Sequence, residues 1–140
     1  MLVRIVTFCT LLLTCESILA NQFLVQTNMD GRVSSVLVQF RGETGTVRSA
    51  KATAKDARSL SLRESQYLRG QIEAVFKLKS KDAKACVRRN VTIWDQQLGV
   101  ATTSCLSSGS PGREVALDLV NSLAIATKSR SQIGWIDRIK

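Results

Sequence analysis

Two cysteines and one asparagine are the residues of this chain whose spacing indicates covalent chemistry. Cys86 and Cys105 bracket the segment CVRRNVTIWDQQLGVATTSC, and the triplet Asn90-Val91-Thr92 within it is an acceptor sequence for N-linked glycosylation. The two other cysteines, Cys9 and Cys15, lie in the apolar N-terminal segment. Removal of that segment would leave one pair, which predicts a single disulfide formed in an oxidising compartment. The alternative is two unpaired, buried thiols.

Other kinds of reactive site find little support in this sequence. The chain has no histidine, so neither a Ser-His nor a Cys-His nucleophile pair can form, and two thiolates cannot complete a tetrahedral zinc site. The sequence also lacks a glycine-rich phosphate loop and a dinucleotide-binding fingerprint. We therefore predict a protein that is not an enzyme and that uses no cofactor, metal or small-molecule substrate.

The first 20 residues, MLVRIVTFCTLLLTCESILA, are typical of a secretory signal peptide. Arg4 precedes an apolar run that is short for a membrane span, and small residues follow it, with Ala20 as the expected cleavage site. An uncleaved N-terminal anchor is one alternative. A bacterial lipoprotein signal is another, although Thr14 is a poor residue to precede a modified Cys15.

The formal net charge of the chain is +9, and it survives signal removal because Arg4 and Glu16 cancel. Such a balance indicates an anionic partner, but a translocated protein does not meet nucleic acid. The basic residues are scattered along the sequence. The charge is therefore a weak indication of function.

Short strands separated by turn signals dominate residues 21–128, which predicts one mostly-β domain, a β-sandwich with one inserted α-helix. Asp30-Gly31 predicts a hairpin turn, and Val91–Trp94 with Leu98–Thr103 predicts a second hairpin whose base the disulfide would close. The full set of expected strands covers residues 23–27, 33–41, 46–53, 91–94, 98–103, 114–119 and 122–126.

One segment has helical rather than strand periodicity. Ser61 and Glu64 have the spacing of a capping box, and an apolar stripe follows them, consisting of Leu68, Ile72, Val75 and Phe76. We expect a helix of about three turns that ends near Ala74, with extended chain resuming at Phe76.

The C-terminal segment, residues 129–140, has apolar residues at roughly helical spacing: Ile133, Trp135, Ile136 and Ile139. We expect a short amphipathic helix whose apolar side contacts the membrane surface or a partner subunit. The alternative is that it docks on its own domain. The sequence stops within this pattern, so we expect a membrane span, absent from this chain, to follow Lys140.

Several segments in a fixed order resemble one known family. They are the capped helix SLRESQYLRGQIEAVFKLK, the later Ala85-Cys86, the hairpin that closes at Thr103-Ser104-Cys105, and the tail VALDLVNSLAIATKSRSQIGWIDRIK. Together they resemble subunit 10 of the endoplasmic reticulum membrane protein complex. The resemblance covers most of residues 60–140. The chain departs from the family in a shorter segment between Cys86 and the hairpin and in the missing membrane span.

The resemblance implies a lumenal β-sandwich with one disulfide, and a strand around Val120-Asn121-Ser122. It also implies a non-catalytic, membrane-associated subunit of an insertase that places transmembrane segments of tail-anchored and multi-pass proteins in the endoplasmic reticulum membrane. Its partners would be the other subunits of that complex, contacted through the domain surface. A different class of function is a small secreted basic module that binds glycosaminoglycan or acidic lipid.

Overall fold

The computed structural model describes residues 21–78 and 86–128. The predicted signal peptide and the C-terminal segment with Ile133, Trp135, Ile136 and Ile139 lie outside the described residues. The elements are β1 (Asn21–Met29), β2 (Arg32–Arg41), β3 (Thr44–Ser49), a 3₁₀ turn (Ala54–Asp56), β4 (Arg58–Leu60), α1 (Leu62–Lys77), β5 (Arg89–Asp95), β6 (Val100–Cys105) and α2 (Arg113–Lys128).

The six strands form one antiparallel sheet in the order β4-β3-β2-β1-β5-β6. The predicted mostly-β class is confirmed. β1 to β4 follow one another as a meander, and β5 then pairs with the free side of β1, so the first strand lies inside the sheet. β5 and β6 complete the sheet as the second predicted hairpin.

Both helices pack on one face of the sheet, so the second layer of the domain is helical. Alternate residues of the central strands point at this layer and are buried, as the two-residue period of a strand requires. The core consists of Val25, Val38, Phe40, Val47, Val91 and Ile93 from the sheet with Leu68, Ile72, Val75, Ala116, Leu119 and Leu123 from the helices.

The β1–β2 turn confirms the hairpin predicted from Asp30-Gly31. Asp30 has φ 54° and Gly31 has φ 88°, and positive φ at both central residues defines the turn whose twist matches that of paired strands. The Asn28 side chain accepts a hydrogen bond from the Gly31 N–H at 3.0 Å. The register of nine paired residues from Asn21↔Phe40 to Met29↔Arg32 follows from this turn.

Helix α1 begins as predicted and extends beyond its predicted end. The Glu64 N–H donates to Ser61 Oγ at 3.2 Å, and the Ser61 N–H donates to Glu64 Oε1 at 3.4 Å, which completes the capping box. The expected end near Ala74 was wrong, because the helix continues to Lys77. Phe76 is helical and packs near Phe23, with ring centroids 6.4 Å apart.

Helix α2 replaces the two strands expected over residues 114–119 and 122–126, and the strand implied by the resemblance around Val120-Asn121-Ser122. That prediction was wrong because an apolar run of this length fits either period. Ala116, Leu119, Leu123 and Ala126 are buried, and their spacing forms one helical stripe. Ser122 Oγ donates to the Asp118 carbonyl at 2.7 Å, so its hydroxyl is satisfied within the helix.

The strands near the 3₁₀ turn also differ from expectation. β3 ends at Ser49 rather than Thr53, because the chain leaves the sheet, passes through the 3₁₀ turn and returns as the three-residue β4. Gly45 on β3 lies opposite Phe40. A Cβ at Gly45 would approach the Gln39 carbonyl oxygen to 2.7 Å, so the close approach of β2 and β3 requires glycine there.

Candidate functional site

The disulfide joins Cys86 and Cys105 at the open end of the β5–β6 hairpin, as predicted. Their Cα atoms are 5.4 Å apart, within the range that a disulfide spans. At the other end, Asp95 Oδ1 accepts hydrogen bonds from the Gln97 N–H at 3.0 Å and the Leu98 N–H at 3.1 Å. The hairpin is therefore fixed at both ends, and its disulfide is typical of an oxidising compartment.

Two asparagine side chains hold the segment that precedes β5. Asn90 Nδ2 donates to the Cys86 carbonyl at 2.6 Å, and Asn28 Nδ2 donates to the Val87 carbonyl at 3.3 Å. Asn90 is partly exposed and lies within β5. Since β5 pairs with β1 and β6 on its two sides, a glycan at Asn90 would lie on an internal strand rather than at a sheet edge. Glycosylation at Asn90 stays a prediction.

An ion pair beside the disulfide links the β1–β2 turn to β5. Arg89 donates to both carboxylate oxygens of Asp30, with Nη2 to Oδ2 at 2.9 Å. This hydrogen bond and the charge of Arg89 lower the pKa of Asp30. The same contact raises the pKa of Arg89. The partners are 59 residues apart in sequence, and no local pattern predicts such a pair.

The β6 edge, defined as the outer side of Val100–Cys105, is the second feature that a partner could use. β6 pairs with β5 alone within the described part of the chain. The Leu106 N–H donates to the Arg89 carbonyl at 2.9 Å, and in an antiparallel pair hydrogen-bonded and non-bonded residues alternate. The backbone N–H groups of Ala101 and Thr103 therefore point outward, away from β5.

Within the described residues, the β6 edge carries neither the charge nor the proline that commonly hinder pairing with another chain. Its sequence, VATTSC, contains no proline and no charged residue. Val100 is 47% exposed, and Leu98 in the adjoining turn is 72% exposed. The opposite edge of the sheet is β4, which is three residues long and carries Arg58. The two edges therefore differ sharply in their readiness to bind a further strand.

The open face, defined as the sheet surface opposite the helices, presents partly exposed side chains from every strand. One row across it contains Leu37, Leu24 and Trp94, which are neighbours on β2, β1 and β5. The next row contains Gln39 and Gln22, followed on β3 and β4 by Thr46 and Ser59. On the three central strands an apolar row thus lies beside a polar row, and Arg48 on β3 continues the apolar row.

Within residues 21–78 and 86–128, no helix is long and apolar enough to span a bilayer. The same residues contain no group of three or more cysteine, aspartate or glutamate side chains close enough to hold a metal ion. The proposed contact residues Ile133, Trp135, Ile136 and Ile139 cannot be placed relative to the β6 edge because they lie outside the described ranges. No known protein family, curated protein or solved structure matches this chain.

Proposed function

We propose that this chain is a non-catalytic lumenal subunit of the endoplasmic reticulum membrane protein complex, supporting the insertion of transmembrane segments. The resemblance of residues 60–140 to subunit 10 motivates the proposal, and the Cys86–Cys105 disulfide is compatible with a lumenal domain. The subunit contributes binding surface to the assembly. Its partners are the other lumenal domains of the complex.

The observation that carries the proposal is the unprotected β6 edge. Isolated soluble domains blunt their edges with charge, proline or short strands. β4 has two of these devices, whereas β6 has neither charge nor proline over six residues. Such an edge is suited to β-augmentation, in which a strand of another protein adds to the sheet through main-chain hydrogen bonds. The occupant is an edge strand of a neighbouring β-rich lumenal domain.

The first test is co-purification of the tagged, full-length chain from detergent-solubilised membranes, with identification of the proteins recovered. We expect the subunits of the endoplasmic reticulum membrane protein complex in amounts comparable to the tagged chain. Recovery of the chain alone, above all from the culture medium, would contradict the proposal and favour a secreted binding module.

A substitution on the β6 edge tests the mode of contact. Ala101→Pro removes an outward N–H while sparing the hydrogen bonds to β5, because proline is tolerated on an edge strand where its missing donor faces away from the sheet. We expect this variant to lose the partner subunits, with an unchanged melting temperature of the isolated chain. Ala101→Val is the matched control, since it keeps the N–H and should retain the partners. Equal recovery with both variants would exclude augmentation at β6.

A further inference from the structure

A cleft lined by both polar and apolar groups lies on the open face of the sheet, at the end opposite the β6 edge. It has a volume of about 600 Å³, within the range of small-molecule sites. Four strands, β1 to β4, form its floor, and Ala54 of the 3₁₀ turn and Ala57 just after it contribute to its wall. The connection between β3 and β4 leaves the sheet here, and this departure creates the wall.

The floor of the cleft is a row of uncharged hydrogen-bonding groups. Gln22, Gln39, Thr46 and Ser59 are direct neighbours in register across the four strands, and all line the cleft. At about 4.8 Å between strands, the row extends for about 14 Å. Among the described residues, none of these four side chains forms a hydrogen bond with another residue, so their amides and hydroxyls can bind a ligand.

Two arginines flank this row. Arg41 lies on one side and Arg48 on the other, both lining the cleft. Arg48 Nη1 donates to the Ala52 carbonyl at 2.5 Å, which anchors the guanidinium beside the wall and leaves four of its five N–H donors available. Residues 41–58 carry five Lys or Arg and two Asp or Glu. The local charge therefore favours an anionic ligand.

From this arrangement we infer that the cleft binds an acidic oligosaccharide, a sugar chain bearing sulfate or carboxylate groups. Amides and hydroxyls in one row match the donors and acceptors of successive sugar hydroxyls. The planar fork of arginine matches carboxylate geometry and supplies paired donors to a sulfate. Leu37 in the adjoining row provides an apolar contact for the C–H face of a ring. A row of about 14 Å exceeds one ring, which favours a chain of sugars over a single lipid headgroup.

The inference is independent of the proposed function. The cleft is formed by β1 to β4, whereas the β6 edge is two strands beyond β1, so variants of one site leave the other intact. Loss of sugar binding with retained co-purification, or the reverse, would identify which of the two proposals fails.

Calorimetric titration of the purified chain at physiological salt tests the inference. The probes are a heparin-derived octasaccharide, a hyaluronan octasaccharide and a neutral dextran oligomer of equal length. We expect binding of at least one acidic oligosaccharide and none of the dextran. Comparable binding of dextran, or no binding of either acidic oligosaccharide, would overturn the inference.

Matched pairs of variants locate the binding. Gln39→Leu removes a floor amide, and we expect about a fivefold loss of affinity, the usual scale for a hydrogen bond between uncharged groups. Gln26→Leu is its control, since Gln26 lies on the open face of β1 outside the cleft. Arg41→Gln should weaken binding similarly, whereas Arg32→Gln removes the same charge from the far end of β2 and should change affinity less than twofold. Equal losses within either pair would show that binding is nonspecific.

Phosphoinositide-containing vesicles address the other source of an anionic, hydroxyl-rich ring. Binding to these vesicles that depends on Gln39 and Arg41, without binding of the acidic oligosaccharides, would replace the sugar chain with a lipid headgroup and so overturn the inference. Any excess of binding to these vesicles over binding to phosphatidylcholine vesicles should persist in Gln39→Leu.

A melting temperature within 2 °C of wild type is the criterion that each variant is folded, on a scale where about 1 kcal/mol shifts the midpoint by several degrees.

Discussion

At the scale of single residues, the Asn90 amide has two roles that must be reconciled. In the folded domain its Nδ2 donates to the Cys86 carbonyl at 2.6 Å, and glycosylation would attach a sugar to the same atom. An asparagine amide has two hydrogens, so one N–H remains after modification and can keep this bond. We expect modification before the hairpin closes, because in the folded domain Nδ2 is engaged in this part-buried hydrogen bond.

The sequon makes a direct prediction for a chain produced in eukaryotic cells. Treatment with an N-glycan endoglycosidase should lower the apparent mass of the wild type, and Asn90→Gln should remove that shift. Asn28→Gln is the matched control, because Asn28 also binds the segment before β5 but lies in no sequon. A wild type that shows no mass change would mean that the hairpin closes before the site is reached.

At the scale of elements, the start of α1 depends on local chemistry. The reciprocal hydrogen bonds of Ser61 and Glu64 satisfy two backbone N–H groups that a helix otherwise leaves without partners. Ser61→Ala removes one of these bonds, and we expect the free energy of unfolding to fall by about 1 kcal/mol. Urea denaturation followed by circular dichroism measures this change. Ser61→Asp should preserve most of the stability, and an equal loss in both variants would show that capping is not the cause.

Sequence reasoning identified the elements whose signals are local. Asp30-Gly31 specifies its turn through backbone φ, and Ser61 with Glu64 specifies a helix start through reciprocal hydrogen bonds. The disulfide followed from counting cysteines. β4 was not predicted, since three residues have no pattern of their own and are extended because β3 pairs with them. α2 was mistaken for strands because Val, Leu and Ala fit both periods, and burial against α1 and the sheet decides between them.

The sites, in contrast, depend on strand order. The β6 edge exists because β6 is last in the sheet, and the polar row of the cleft combines single residues from four strands. Neither Gln22 nor Ser59 stands out in its own segment. Only the register of the sheet brings them together, and register is a property of long-range pairing.

At the scale of the whole molecule, the disulfide should contribute a large part of the stability. Cys86 and Cys105 are 19 residues apart, and closing a loop of this size restricts the unfolded chain by about 3 kcal/mol in the chain-entropy model. We expect Cys86→Ala with Cys105→Ala to lower the melting temperature by about 12 °C for a domain of this size. Scanning calorimetry of the mature chain checks this value. Reduced and alkylated wild type should melt near the double variant, and an unchanged midpoint would contradict the expectation.

The position of β1 inside the sheet has a consequence for the chain during its synthesis. β1 leaves the ribosome before every other described element, and its partner in the meander, β2, follows within a few residues. β5, the other neighbour of β1, is synthesised much later, because Arg89 of β5 is 59 residues beyond Asp30. At roughly 5–20 residues per second, this interval is about 3–12 s. During this interval one side of β1 has no strand partner, whereas in the folded domain it pairs with β5. Chaperones therefore have a defined interval in which to protect this temporary edge.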